Sequence, residues 1–460
     1  MRKNQDLMSR LLFFVFLFTN VLSFGQNYKD SISDRDVLKK ELKKEILEEL
    51  QHNSATINGE NIPNSLLKWQ NFSLRGYGVV NYYNNDYDTD PTLKNKFDAE
   101  RLNLYLEYKF TDKINLKTEI EYEHGGTASA IDLDTQEEFG EFEQEIETGG
   151  GVKLEQVHIN FQINPYFNIR VGKMKMYFGL HQNLDTPTQY FTTTRQEMEN
   201  EILPLGWYET GLEFYGTFAK RFNFKAYIVS GLDATGFSSR GWIKDGYQQR
   251  FEMANAASLA FAARLDYKFG THKDTYIGLA AYINDAAANR QKDDMSVSAY
   301  VTMVEGHVTY NENNLRFNAI GLYGNLENSN IVSQRNANLS NNLGVKRTPV
   351  GQKALGFSSE IGYNIIPLLK QNSTQMLYPF VRYDYYDTMH DVEGSIVDNP
   401  RWERSTIAAG INWFVHPQIV IKAQYADRRL GSENYNLTTL AFTGKKQHDK
   451  IFSTGIGFKF

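Results

Sequence analysis

The sequence predicts an all-β chain: a 16-stranded antiparallel transmembrane β-barrel preceded by a short amphipathic helix. Three observations point there. Apolar and polar residues alternate through most of the 460 positions. The alternating segments run about ten residues, the length a tilted strand needs to cross a hydrocarbon layer. Their connections are short at one end and long at the other, as in an up-and-down meander with two unlike ends. The composition agrees, with 41% hydrophobic residues, 28 Tyr, 30 Phe and only 10 Pro, at a mean hydropathy of −0.50. A helical membrane bundle is excluded, because each of its spans needs about 20 mostly apolar residues in a row. The absence of cysteine excludes a disulfide framework and thiolate metal sites.

From the N-terminus, Arg2, Lys3 and Arg10 precede an apolar run from Leu11 to Leu22. Ser23-Phe24-Gly25 then places small residues where a signal peptidase reads. Residues 1–25 are expected to be a cleaved secretory signal, since a membrane anchor needs a longer run. Residues 26–63 form the next unit. Leu38, Leu42, Ile46 and Leu50 recur every four residues between Lys and Glu, which makes an amphipathic helix with i,i+4 charge pairs, capped by Ser33 or Asp34. A helix this short is marginal alone. A short oligomeric coiled coil and a charged tether are equally open readings, and 52–63 is a linker.

Residues 64–460 form the barrel domain. Leu102, Leu104, Leu106, Tyr108 and Phe110 point one way, and Arg101, Asn103, Tyr105, Glu107 and Lys109 the other. Such segments centre on Leu74, Leu104, Ile120, Ile159, Ile169, Leu212, Phe224, Ala263, Leu279, Val301, Phe317, Phe357, Val381, Ala409, Ile421 and Ile456. Thr111-Asp112-Lys113, Asn164-Pro165 and Ala219-Lys220-Arg221 are short turns, whereas Met176 to Trp207 and Leu430 to Gln447 are long loops. A soluble propeller would carry a repeat near forty residues with signature motifs, and none is present. In the last segment Phe452, Thr454, Ile456, Phe458 and Phe460 share a face. A terminal aromatic on such a strand resembles the assembly signal of outer-membrane barrels, which implies the outer membrane of a Gram-negative bacterium. Tyr108, Phe110, Phe167, Tyr267, Phe269, Trp413 and Phe460 are candidates for the periplasmic aromatic edge.

With apolar faces toward lipid, the alternating partners line the lumen. Arg75, Arg101, Lys117, Arg170, Lys225, Arg264, Arg316, Arg382, Arg404 and Lys422 fall there by parity, with Glu107, Glu119, Glu121, Asp266, Glu360 and Asp384. Arg or Lys facing lipid at mid-membrane would cost about 2–4 kcal/mol. Sixteen strands leave room for an aqueous channel, so a water-filled pore with a mixed, partly basic wall is expected. The net charge of −6 is misleading about that wall. The signal carries three bases and one acid, leaving 46 minus 54, or −8. Asp132, Asp134, Glu137, Glu138, Glu141, Glu143, Glu145 and Glu147 account for all of it in the second long loop. That stretch reads as solvated, with a calcium- or lipopolysaccharide-bridging role as the alternative.

The third long loop, 176–207, holds Pro187, Pro204, Tyr190, Phe191 and a helix-like RQEMENEI from Arg195. It is expected to fold inward as a constriction. Arg195 is its only base after Lys175, while Asp185, Glu197, Glu199 and Glu201 make its own balance acidic.

IRVGKMKMYFGL, from Ile169 to Leu180, resembles a segment of the phosphate-selective porin O and P family through Gly172, Lys173, Lys175, Phe178, Gly179 and Leu180. GLEFYG, from Gly211 to Gly216, looks similar too. The resemblance implies a homotrimeric 16-stranded porin with its third loop inside. It also implies passive diffusion of small hydrophilic solutes, including anions such as phosphate or polyphosphate, guided by bases that include Lys173 and Lys175. The expected surroundings are outer-membrane lipid and lipopolysaccharide. No cofactor, metal or nucleic-acid partner is expected. The nine His are scattered, and no HExxH pair, nucleophile elbow or phosphate loop appears, so an enzyme is not expected. The alternative is an adhesin or structural barrel acting through its long loops.

Overall fold

The computed structural model describes residues 71–460 except 127–129, 135–142, 148–150, 181–183, 205, 251–252, 340–346, 371, 433–434, 437–440 and 443. It also describes four residues of the separate unit Met1–Gln70, where Thr56–Ile57 pairs antiparallel with Glu60–Asn61. The expected signal and the helix over 30–52 lie outside the described residues.

Asn71–Phe460 is built around one closed sheet. Its strands are β1 (Phe72–Tyr87), β2 (Lys96–Lys109), β3 (Ile114–Glu123), β4 (Gly151–Asn164), β5 (Phe167–Lys175), β6 (Tyr208–Phe218), β7 (Phe222–Ser230) and β8 (Leu259–Lys268). There follow β9 (Tyr276–Asp285), β10 (Tyr300–Glu312), β11 (Leu315–Leu326), β12 (Lys353–Tyr363), β13 (Met376–Asp391), β14 (Glu403–His416), β15 (Ile419–Leu430) and β16 (Gln447–Lys459). Each pairs antiparallel with its sequence neighbours, and β16 pairs with β1 to close the barrel. Every one of the sixteen sequence centres falls in its strand, in order.

Tight turns join the strands at one end. Asn313 and Asn314 both take positive φ between β10 and β11, as a two-residue hairpin requires. The seam closes at this end too: the Gly76 and Phe460 amides each donate to the other's carbonyl, at 3.0 and 2.9 Å. Aromatic pairs ring it, including Phe72–Tyr108 at 4.7 Å and Phe222–Tyr267 at 4.9 Å between ring centroids. At the other end lie the long loops. One carries a short hairpin, Ala130–Asp134 with Glu143–Glu147, at the two ends of the acidic stretch.

Leu74, Ile159, Leu279, Phe357, Val381, Ile407 and Ile456 stand exposed on the outer face, where lipid replaces water as solvent. The inner face departs from the expected polar wall. Ala260, Ala262, Ala280, Tyr282, Val301, Met303, Leu322 and Ala354 point inward and are buried. Two loops cover them. Met176, Phe178, Leu180, Met198 and Ile202 come from 176–207, and Phe237, Trp242 and Ile243 from 231–258; all join the wall in one apolar cluster. Bare wall positions make room. A Cβ on Gly324 would collide with Trp242, one on Gly356 with Met198, and one on Gly362 with Phe191.

Candidate pore and constriction

The loop 176–207 crosses the bore, and ion pairs hold it. Asp185 is the central anchor. Its carboxylate accepts from Lys175 at 2.9 Å, Arg101 at 3.2 Å and Tyr77 at 2.7 Å, and Arg195 lies 2.5 Å away. One carboxylate thus meets three cations drawn from β2, β5 and the loop itself. Burial pushes the Asp185 carboxyl up, but Lys175 and Arg101 outweigh burial and hold it down to about 2. Arg101 also donates to the Tyr190 hydroxyl at 3.0 Å. Lys422 donates to the Tyr190 and Thr192 carbonyls, both at 2.8 Å, with its ammonium 3.8 Å from the Tyr190 ring centre.

The far side of the loop is fixed by the opposite wall. Arg316 on β11 donates to the Thr188 carbonyl at 3.2 Å. Arg382 on β13 pairs with Asp384 at 2.7 Å and donates to the Thr192 hydroxyl. Phe191 stacks on Phe380 with centroids 5.3 Å apart. Residues Glu197–Ile202 form a short helix, as RQEMENEI suggested. Glu197 accepts from Tyr386 at 2.6 Å, Thr406 at 2.9 Å and Arg428 at 2.6 Å. Burial raises its carboxyl, but Arg428 and these hydrogen bonds prevail and bring it to about 2. Glu199 is buried and accepts from the Leu180 amide at 3.0 Å. Glu201 meets Arg404 at 3.3 Å. The acids that gave the loop its negative balance are therefore matched by wall bases and backbone donors.

On the tight-turn side of this anchor lies a second group. Arg170 pairs with Glu213 at 2.7 Å, with its guanidinium carbon 4.3 Å from the Tyr215 ring centre. Lys225 sits 3.9 Å from the Tyr177 ring centre and 3.7 Å from Glu213. Lys117 lies 5.1 Å from the Tyr105 ring centre. Burial raises the Tyr177 hydroxyl, yet Lys225, Lys117, Lys175 and Arg170 together draw it below its ordinary value. Arg75 pairs with Glu107 near the tight-turn rim. Arg264 reaches the Gly179 carbonyl at 2.7 Å.

Lys173 is placed otherwise. It pairs with Val157 and Thr210 and shares its face with the exposed Val171, so it stands on the outer side of β5 and donates to the Leu154 carbonyl at 2.9 Å. Its parity is opposite to that of Arg170; Lys175, on the same parity, is the last residue of β5 and is buried against Asp185. Arg428 is a loop anchor the sequence reading passed over, although it follows Lys422, Gln424 and Ala426 on one face of β15. On the long-loop side of the constriction a cavity of about 350 Å3 is lined by Tyr83, Tyr87, Thr193, Asn200, Gln424 and Arg428, among others. Among the described residues no His, Asp and Glu group is arranged to hold a metal ion.

The chain is similar to several known proteins. A protein of Aquifex aeolicus (strain VF5), described as uncharacterised, is 27% identical over 357 residues, spanning 77% of this chain and 74% of that one. Among solved structures, an anion-selective porin from Comamonas acidovorans matches with 9% identity and a TM-score of 0.48, over 85% of this chain and 99% of its own. The outer-membrane channel DcaP of Acinetobacter baumannii matches with 12% identity and a TM-score of 0.47, over 85% and 97%. The family model of phosphate-selective porin O and P matches residues 75–449. The chain belongs to that family and is an outer-membrane channel protein.

Proposed function

We propose that the barrel is a passive porin for small hydrophilic solutes with a preference for anions such as phosphate or polyphosphate. The observation that carries this reading is a group of cations at the root of the constriction loop: Lys225 lies 3.9 Å from the Tyr177 ring centre, Arg170 4.3 Å from that of Tyr215 and Lys117 5.1 Å from that of Tyr105, with Lys175 two residues before Tyr177. Glu213 and Asp185 offset part of that charge, but Lys117 rests on an aromatic face rather than on a carboxylate. Cations lining a narrow bore with low-dielectric walls focus a positive potential and raise the local concentration of anions. The expected inner-wall roles follow: Arg101, Lys175, Arg195, Arg382, Arg404 and Lys422 set the loop, and Lys117, Arg170 and Lys225 face the solute. Membership of the family and the trimer form described for OmpT of Vibrio cholerae support a homotrimer in outer-membrane lipid and lipopolysaccharide.

Reversal potential across a planar bilayer under a salt gradient tests the preference. The wild type is expected to favour the anion, and the Lys117→Gln, Lys225→Gln double variant to move toward zero selectivity. Cation preference in the wild type would reject the anion reading. Absence of any open-channel conductance would reject the porin reading and favour the loop-acting adhesin. Crosslinking in detergent tests the trimer.

A further inference from the structure

Four titratable side chains meet on the inner wall beneath the root of the constriction loop: Arg264 and Asp266 on β8, and Glu305 and His307 on β10. The strand between them is β9, and its residue at this height is Gly278, paired with both Asp266 and His307. A Cβ on Gly278 would collide with Asp266 Oδ1 and with His307 Nε2. The bare glycine therefore lets two strands that are not neighbours touch across a third. His307 Nε2 lies 2.8 Å from Asp266 Oδ1, and His307 Nδ1 lies 2.8 Å from Glu305 Oε2. Arg264 donates from Nε to Asp266 at 2.9 Å. Its Nη1 donates to the Gly179 and Tyr177 carbonyls at 2.7 and 3.3 Å. Glu305 accepts from the Gly179 amide at 3.4 Å. All the polar backbone groups of Gly179 are thus engaged by this cluster.

Resting on the reading of 176–207 as the constriction of a porin, we propose that His307 is a positioning residue that couples the hold on the constriction loop to its own protonation. Both ring nitrogens face carboxylates, so an imidazolium donates to both and its charge, with that of Arg264, balances Asp266 and Glu305, while Arg264 Nη2 beside Nε2 is the donor that a neutral ring accepts from. Loss of the proton leaves one N–H for two carboxylates and an unmatched negative charge in a buried site, which is costly. The bare Nε2 then accepts from Arg264 Nη2, already 2.7 Å away, so the guanidinium that holds the loop carbonyls through Nη1 is also drawn to the ring. Raising the pH through this titration loosens Gly179 and lets the loop fluctuate in the bore.

Other groups adjoin His307 and Gly179, Glu199 among them, its carboxylate packed against Gly179. From β9 the Tyr276 ring meets it edge-on, with centroids 5.8 Å apart. From β11 its partner is Ile320. From the loop, Glu199 is turned to the Leu180 amide.

Two measurements on the intact protein test this. Hydrogen exchange of the Gly179 and Leu180 amides, corrected for the intrinsic base-catalysed rate, is followed from about pH 5 to about pH 10, the span that brackets histidine titration. Channel closures in planar bilayers are counted over the same range. In the wild type both are expected to rise several-fold in one titration step. His307→Gln is expected to lose the step and behave at every pH like the wild type at high pH. His307→Lys, which keeps a cation between the carboxylates, is expected to stay quiet further up the range. A wild-type exchange profile without a step, or a step that survives in His307→Gln, overturns the proposal. Because exchange needs no current, a protein that shows the step but conducts nothing would reject the porin reading and leave the coupling standing.

Discussion

Asp185 is one carboxylate serving three cations and a phenol, in a site where all but the half-buried Arg195 are buried. Removing its charge takes from Lys175 and Arg195 the carboxylate they pair with and leaves Arg101 only Glu100, 3.8 Å away. Breaking a buried pair by deleting one partner costs about 3–5 kcal/mol, and Asp185→Asn is expected to lower stability by that order in urea unfolding from lipid vesicles. Surviving channels should show a higher anion preference, since the constriction gains a positive charge. The pH dependence has a definite sign. The carboxyls of Asp185 and Glu197 are held at about 2, below the about 3.9 and 4.3 of unfolded chains. Groups with depressed folded values contribute stability that is fully present above the unfolded value and lost as pH falls through the folded one. The loop anchors are therefore expected to hold unchanged from neutral pH to about 5 and to weaken progressively between about 4 and 2, read as the unfolding midpoint in urea at each pH. Asp185→Asn should flatten part of that acid limb.

At the level of elements, the constriction depends on wall positions that carry no side chain. Gly356 on β12 faces Met198 and Ile202 of the short loop helix, and Gly324 on β11 faces the Trp242 ring. Gly356→Leu would put a side chain where Met198 now lies, and overpacking of this kind costs about 1–3 kcal/mol. Here the loop can yield while the barrel stays closed. The expected outcome is a larger single-channel conductance with a nearly unchanged unfolding midpoint. A fall in stability with unchanged conductance would show instead that the loop cannot move. These positions also mark what the sequence could and could not convey. Strand existence and order were readable because strict alternation is imposed by lipid on one side, and tight turns by the need to reverse within a few residues. The inward fold of 176–207 was readable from its length, its prolines and its continuity with IRVGKMKMYFGL. The inward fold of 231–258 was not. Its trace lay in Ala260, Ala262, Ala280 and Ala354, small apolar residues on the parity that elsewhere carries charge, and alternation alone does not say what covers them. Lys173 failed for a related reason: a motif names residue types, but the side a strand residue faces is set by register and by where the strand ends.

At the scale of the barrel, Asn71–Phe460 is an inverted solution to burial, with ion pairs and loops inside and Leu, Ile, Val and Phe outside. That inversion makes a prediction that neither a soluble barrel nor a propeller shares. Leu279 on β9 is 69% exposed, between Leu265 on β8 and Gly306 on β10, on the outward face. On a soluble protein, replacing so exposed an apolar residue with a charged one would be close to neutral. On a barrel in hydrocarbon the same change is expected to cost about 2–4 kcal/mol near the midplane and about 0–1 near an interface. Leu279→Arg should therefore lower stability in vesicles by that larger amount, while Met253→Arg, in the long loop at 80% exposure, should not. The contrast is read by refolding each variant into vesicles and comparing urea midpoints and the heat-modifiable band of the folded barrel on a gel. Equal, small effects at both positions would mean that β8 to β10 do not face lipid, and the inside-out assignment of the inner wall, with every pore residue that depends on it, would fall with them.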